Sequence, residues 1–231
     1  MMTYYFSTIS LLREAVADIT PLIEKGKKLW LNQWVDQRLS KEEQEKIADA
    51  EEPVCGTVAC AAGWLAQFKK WQQRGLKLYV APYDALSPEN AGKIIVLGRP
   101  NQDKVPSSGD GYDALADIFH INFNDITDIF GTTGLSDYDS LIFQYNSNAR
   151  YDHFELWKAR IQVFADQYVT LKFGRRYYTG IENSIVGWSE NRDDAQLINK
   201  DEANHVRMSI CAVLSSGVMI IDKDEMKLEA C

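Results

Sequence analysis

The chain has 231 residues, 45% of them hydrophobic and 11% aromatic, enough apolar material to bury a core in one domain or two unequal ones. A net charge of −8 and a pI near 5.0 argue against nucleic acid as a ligand, because phosphate-backbone affinity comes largely from Lys and Arg releasing counterions. No apolar run reaches transmembrane length and the start Met1-Met2-Thr3-Tyr4-Tyr5 lacks the basic segment of a signal peptide, so the expected location is the cytoplasm, with no membrane contact.

In chain order, Leu11, Leu12, Ala15, Val16 and Ile19 form a helical stripe that Pro21 kinks or ends. Trp30 with Trp34, and Leu31 with Val35, repeat the helical spacing in a second element. Ser40 with Glu43 is a capping-box signature for a third helix reaching about Ala50.

The run Pro53-Val54-Cys55-Gly56-Thr57-Val58-Ala59-Cys60-Ala61-Ala62-Gly63-Trp64 is the densest in chemistry. Pro53 ends what precedes it and Thr57 suits an N-cap, which predicts a helix to about Trp71 that Gly75 stops. Cys60, Trp64, Phe68 and Trp71 share its bulky face, and Ala59 with Gly63 makes a flat one. Cys60, Gly63 and Trp64 are therefore expected to be structural. Cys55 lies near a helix N-terminus, where the dipole favours a thiolate, and is the candidate nucleophile, with His120 or His153 as a base brought near by folding. Cys55-Gly56 followed by Ala59-Cys60-Ala61-Ala62 is similar to the start of the nucleophile helix of bacteriocin-processing and papain-like cysteine peptidases, over barely a dozen residues. Their oxyanion glutamine would fall at Asp49, a departure from the pattern, and the structural reading of the cysteines leads. The spacing of Cys55 and Cys60 does not fit a metal site, and no metal or cofactor is expected. In the cytoplasm Cys55, Cys60, Cys211 and Cys231 are expected to be reduced, although an even count leaves a disulfide open.

Leu76–Val80 alternates like a strand, Lys93–Leu97 reads as a second, and the two are suited to pair. From Gly98 to Gly111 the composition is that of a long exposed loop, which makes Asp103, Lys104 and Asp110 candidate binding residues. Helices resume at Tyr112–Phe119, and Asn122 or Asn124 caps another to Phe130, closed by Gly131. The ordered segments LNQWV, CGTVACAAGWLAQF and ALADIFHINFNDITDIFG resemble, over roughly residues 10–135, a group of uncharacterised small proteins of bacteriophage genomes and bacterial accessory regions, with a CGTxxCxAGW-type segment and a helical hairpin. The resemblance implies a phage-encoded accessory protein and carries no established activity.

Asp152–Gln167 reads as a helix, after which the composition turns to strands. Tyr168–Phe173 and Arg176–Thr179 flank Gly174-Arg175, a two-residue hairpin turn with glycine first. Gln196–Ile198 is a third strand, Asn199 with Glu202 caps a helix, and Val218–Ile221 is a last strand. Arg175, Arg176, Tyr177 and Tyr178 make the basic-aromatic cluster, a candidate binding site beside the blander reading of a solvated turn.

The expected fold is α+β: a mostly helical domain over residues 1–167 with a short β-hairpin, then a small ββ-β-α-β module over 168–231. The preferred function is non-catalytic binding to a host protein, as an inhibitor of a host or defence factor, with the acidic surface steering association. A Cys55-dependent hydrolase or transferase and a virion or assembly component are the alternatives, and the oligomeric state stays open.

Overall fold

The computed structural model describes residues 3–31, 58–82, 93–98, 110–132, 136–146, 152–183, 185–215 and 226–231. The expected Ser40 helix, Cys55, Asp103, Lys104, nearly all of the 98–111 loop and the expected strand Val218–Ile221 lie outside them. The fold is α+β, with helices and antiparallel strands. Two compact units divide the chain: Ala15–Arg160, and Met1–Glu14 together with Ile161–Cys231.

Helix α1, Phe6–Glu24, runs through Pro21 rather than ending there. It closes where Gly26 takes a positive φ of 83°, so that the Lys27 N–H reaches back to the Leu22 carbonyl. In the Ala15–Arg160 unit, Lys28–Leu29 (β1) pairs in parallel with Val58–Ala59 (β2). Of the element expected from the spacing of Trp30 with Trp34 and Leu31 with Val35, only Trp30 and Leu31 are described, just past β1, and the rest lies outside the described residues.

The long helix expected up to Trp71 is two short ones, Ala61–Leu65 (α2) and Lys69–Gln73 (α3). The break has a local cause. Gln67 is fully buried and its side-chain amide donates to the Gly63 carbonyl, the acceptor that a continuing helix would give to the backbone. Phe68 is then extended at φ −95°, ψ 130°, and restarts the chain as the N-cap of α3. Gly75, at φ 111°, ends α3 with the Leu76 N–H bonded to the Trp71 carbonyl.

Lys77–Pro82 (β3) and Lys93–Gly98 (β4) pair antiparallel, as the alternation suggested. Asp110–Phe119 (α4) and Phe123–Phe130 (α5) form the helical pair, with Asn122 accepting from the Asp125 N–H as N-cap. Asp137–Tyr145 (α6) follows, an element the apolar spacing does not announce although Ser136 caps it, and then His153–Ala165 (α7). The core is a file of mutually tilted rings. Centroids lie 5.4 Å apart for Trp71 and Phe119, 5.2 Å for Phe119 and Phe130, and 5.7 Å for Phe130 and Trp157. Beside it the buried Arg160 binds Asp139 through two 2.8 Å bonds, and Nη1 and Nη2 also donate to the carbonyls of Gly131 and Thr132 respectively.

The second unit is built on an antiparallel sheet. Tyr168–Phe173 (β5) is central: Arg176–Glu182 (β6) and Ile198–Asn199 (β8) lie along one side, and Met226–Ala230 (β9) along the other. Ile185–Ser189 (β7) pairs with β6 and, among the described residues, forms an edge. Gly174 has φ 58° at the β5–β6 turn, the glycine-first hairpin read from the sequence. The ββ-β-α part of the expected order is present with β7 added between β6 and β8; the expected closing strand, Val218–Ile221, lies outside the described residues, and β9 is an element the sequence did not announce. The expected third strand contributes only Ile198–Asn199, because Gln196 instead bridges to Tyr5. Helix α8, Ala203–Ser215, packs Ala203 and Ile210 against Val169, Leu171, Tyr178, Val186 and Met226 to make this unit's core.

Candidate functional site

The residues singled out in the sequence do not converge on a reaction centre among the described residues. Cys60 is buried at the start of α2, where its Sγ accepts from the Gly63 N–H at 3.3 Å. Burial pushes its thiol up to about 12, so it stays protonated at neutral pH and serves as a helix cap. Gly63 and Trp64 lie in the same buried turn, and the Trp64 indole donates to the Lys28 carbonyl. Among the described residues no disulfide joins Cys60, Cys211 or Cys231.

His120 is exposed, at φ 54°, just past the end of α4. The Ile121 N–H bonds the Ala116 carbonyl across it, so His120 occupies the position that Gly26 and Gly75 hold at the ends of α1 and α3. His153 is half-buried at the first turn of α7, where Nδ1 accepts from the Leu31 N–H at 3.1 Å and the ring meets Trp30 edge-on. Burial lowers its affinity for a proton; the positive charge of Arg160 adds to this and Asp152 opposes it. Asp110 begins α4.

The basic-aromatic cluster is divided by the sheet. Arg175 sits exposed in the turn, and Arg176 is 64% exposed with Glu190 at 3.9 Å. Tyr177 faces the polar side, beneath Lys172 at 5.2 Å. Tyr178, 4% exposed, faces the core. Strand alternation imposes this division, since neighbouring side chains leave a strand on opposite faces.

A different part of the same strand offers a surface that the sequence reading did not find. Beyond an irregularity between Tyr178 and Gly180, the β6–β7 ladder pairs Gly180 with Gly187, then Ile181 with Val186 and Glu182 with Ile185. Gly180 has φ 127°, a conformation that suits glycine, and a Cβ on Gly187 would come within 2.3 Å of the Thr179 Oγ1. At the two facing glycines the Thr179 hydroxyl and, at 3.1 Å, the Gln196 Oε1 stand close to where side chains would begin. A groove of about 790 Å³ at this place is lined by Thr3, Tyr5, Thr179, Glu182, Ile185 and Gln196 among others. Its apolar members are unusually open: Ile185 is 71% exposed, Ile181 45% and Tyr5 41%. The described lining contains no Cys, His or Lys, so it offers shape, hydroxyls, amides and one carboxylate rather than a nucleophile with its base.

Comparison of the chain with family models, with curated proteins and with solved structures gives no match. Among the described residues no three His, Cys, Asp or Glu side chains cluster as ligands for a metal ion, and no helix is long and apolar enough to cross a membrane.

Proposed function

We propose that this protein works by non-catalytic binding to a partner protein through the groove and edge at β6–β7. One observation carries the reading: three of the large apolar side chains that stand exposed, Tyr5, Ile181 and Ile185, line a single groove. Apolar side chains scattered singly on a surface need no explanation, but convergence around one groove is the usual anatomy of an interface. The resemblance to phage-type accessory proteins suggests what the partner is: a host protein, met in the host cytoplasm and inhibited by occupation of its surface. The acidic surface, at a net charge of −8, would speed encounter with a basic partner.

The test is a photo-crosslinking amino acid placed at Ile185 and, as a control, at Leu141, which is 47% exposed in the other unit. In host-cell lysate the Ile185 position is expected to give one stoichiometric protein adduct and the Leu141 position none. Absence of any adduct at Ile185, or equal labelling from both positions, would overturn the reading.

A further inference from the structure

The two long edges of the five-stranded sheet are built differently. Strand β9 carries Lys227 and Glu229 along its length, the kind of charge that discourages another chain from pairing with an edge. Strand β7 reads Ile-Val-Gly-Trp-Ser, without a charge or a proline, and starts with Ile185, the most exposed large apolar side chain among the described residues. Among the described residues no strand pairs with β7 on the side away from β6. An uncharged, β-forming edge with open backbone groups is a template for strand addition.

Charge decides among possible occupants. Glu182 lies across from Ile185 at one end of β7, and Glu190 follows its other end, 74% exposed. Arg176 lies 3.9 Å from Glu190 and is itself 64% exposed, a loose contact that a competing cation can displace. A second copy of this chain would bring a further −8 of charge and the same two carboxylates to the edge. A basic segment would meet them with opposite sign.

Resting on the partner-binding reading above, we infer that the partner docks by adding an extended segment to β7, with an apolar centre against Ile185 and a Lys or Arg toward each of Glu182 and Glu190. Main-chain bonds to the edge supply the attachment, and the end charges set which segments are accepted.

The probe is a heptapeptide of alternating threonine and valine with lysine at both ends, compared with its twin ending in glutamate. Binding is followed by amide shifts and amide exchange of the full chain. The lysine peptide is expected to shift and protect amides within Ile185–Ser189, to bind roughly ten-fold more tightly than the glutamate peptide, and to lose that advantage in high salt. Ile185→Lys, at a position 71% exposed, should keep the fold and remove binding.

No change at β7 with either peptide, or equal affinity for both, would overturn the inference. Sedimentation showing a dimer that Ile185→Lys dissolves would also overturn it, because the occupant would then be a second copy. An Ile185 adduct in lysate without peptide binding leaves the partner reading standing and removes strand addition. Peptide binding without any adduct does the reverse.

Discussion

At the scale of single residues, His153 and Cys60 illustrate how burial decides chemistry. His153 works as an acceptor: its Nδ1 takes the Leu31 N–H, a bond available only to the neutral ring. Its proton affinity is lowered in the folded protein, first by burial and then by Arg160, so below its ordinary value of 6.5 the unfolded chain takes up a proton that the native one still refuses. The stability that His153 contributes is therefore fully present above pH 6.5 and is lost as pH falls through the depressed native value. His153→Asn keeps an acceptor near the position of Nδ1 without a titrating group. Urea unfolding of both proteins across pH 4.5–7.5 should show a decline on acidification that is smaller in the variant; parallel curves would mean that the Leu31 bond does not depend on this titration (a range set by the ordinary His value, about 6.5).

At the scale of elements, three helices end with the same backbone device, and only one of them pays no regard to glycine's advantage there. Gly26, Gly75 and His120 all take positive φ while the next N–H bonds five residues back. A left-handed conformation disfavours an L residue by about 1–2 kcal/mol, partly offset by the larger unfolded-state entropy of glycine. His120→Gly should therefore raise stability by about 0.5–1 kcal/mol, read as a higher urea midpoint at unchanged slope. A lower midpoint would mean that the imidazole makes a compensating contact.

The same comparison explains what could be read in advance. Helix ends marked by Asn122, Gly131 and Gly75, the hairpin at Gly174-Arg175 and the β3–β4 pair were legible because their signals are local. The break after Leu65 was not, since Cys60, Trp64 and Phe68 keep helical spacing and only the folded core shows Gln67 taking the Gly63 carbonyl. Strand β7 was missed because Gly187 and Ser189 interrupt an otherwise apolar run, and the groove was missed with it. The facing of Gly180 and Gly187 is a property of register between two strands, which neither strand displays alone.

At the scale of the whole molecule, the sheet unit draws on both ends of the chain. The Leu197 N–H bonds the Tyr4 carbonyl, the Phe6 N–H bonds the Ala195 carbonyl, and Tyr5 bridges to Gln196, so residues 4–6 run beside 195–197. Tyr4, 5% exposed, packs against Phe164 at 5.6 Å and Tyr168 at 5.7 Å, and Ser10 bonds Asp193 at 2.7 Å. Arg192 lies 4.1 Å over the Phe6 ring and donates to the Ala230 carbonyl, while Arg13 donates to the Cys231 carbonyl. A fragment of residues 168–231 lacks Tyr4, Phe6, Ser10, Arg13 and Phe164, leaving buried aromatic surface and backbone groups near Leu197 without partners. Such a short chain has little core to spare. Expressed alone it is expected to give a poorly dispersed amide spectrum and no cooperative melt, and adding a peptide of residues 3–14 to a fragment extended back to Ile161 should restore both. A cooperative melt of 168–231 by itself would show that the sheet and α8 suffice, and that the N-terminal segment is an attachment to a fold already complete.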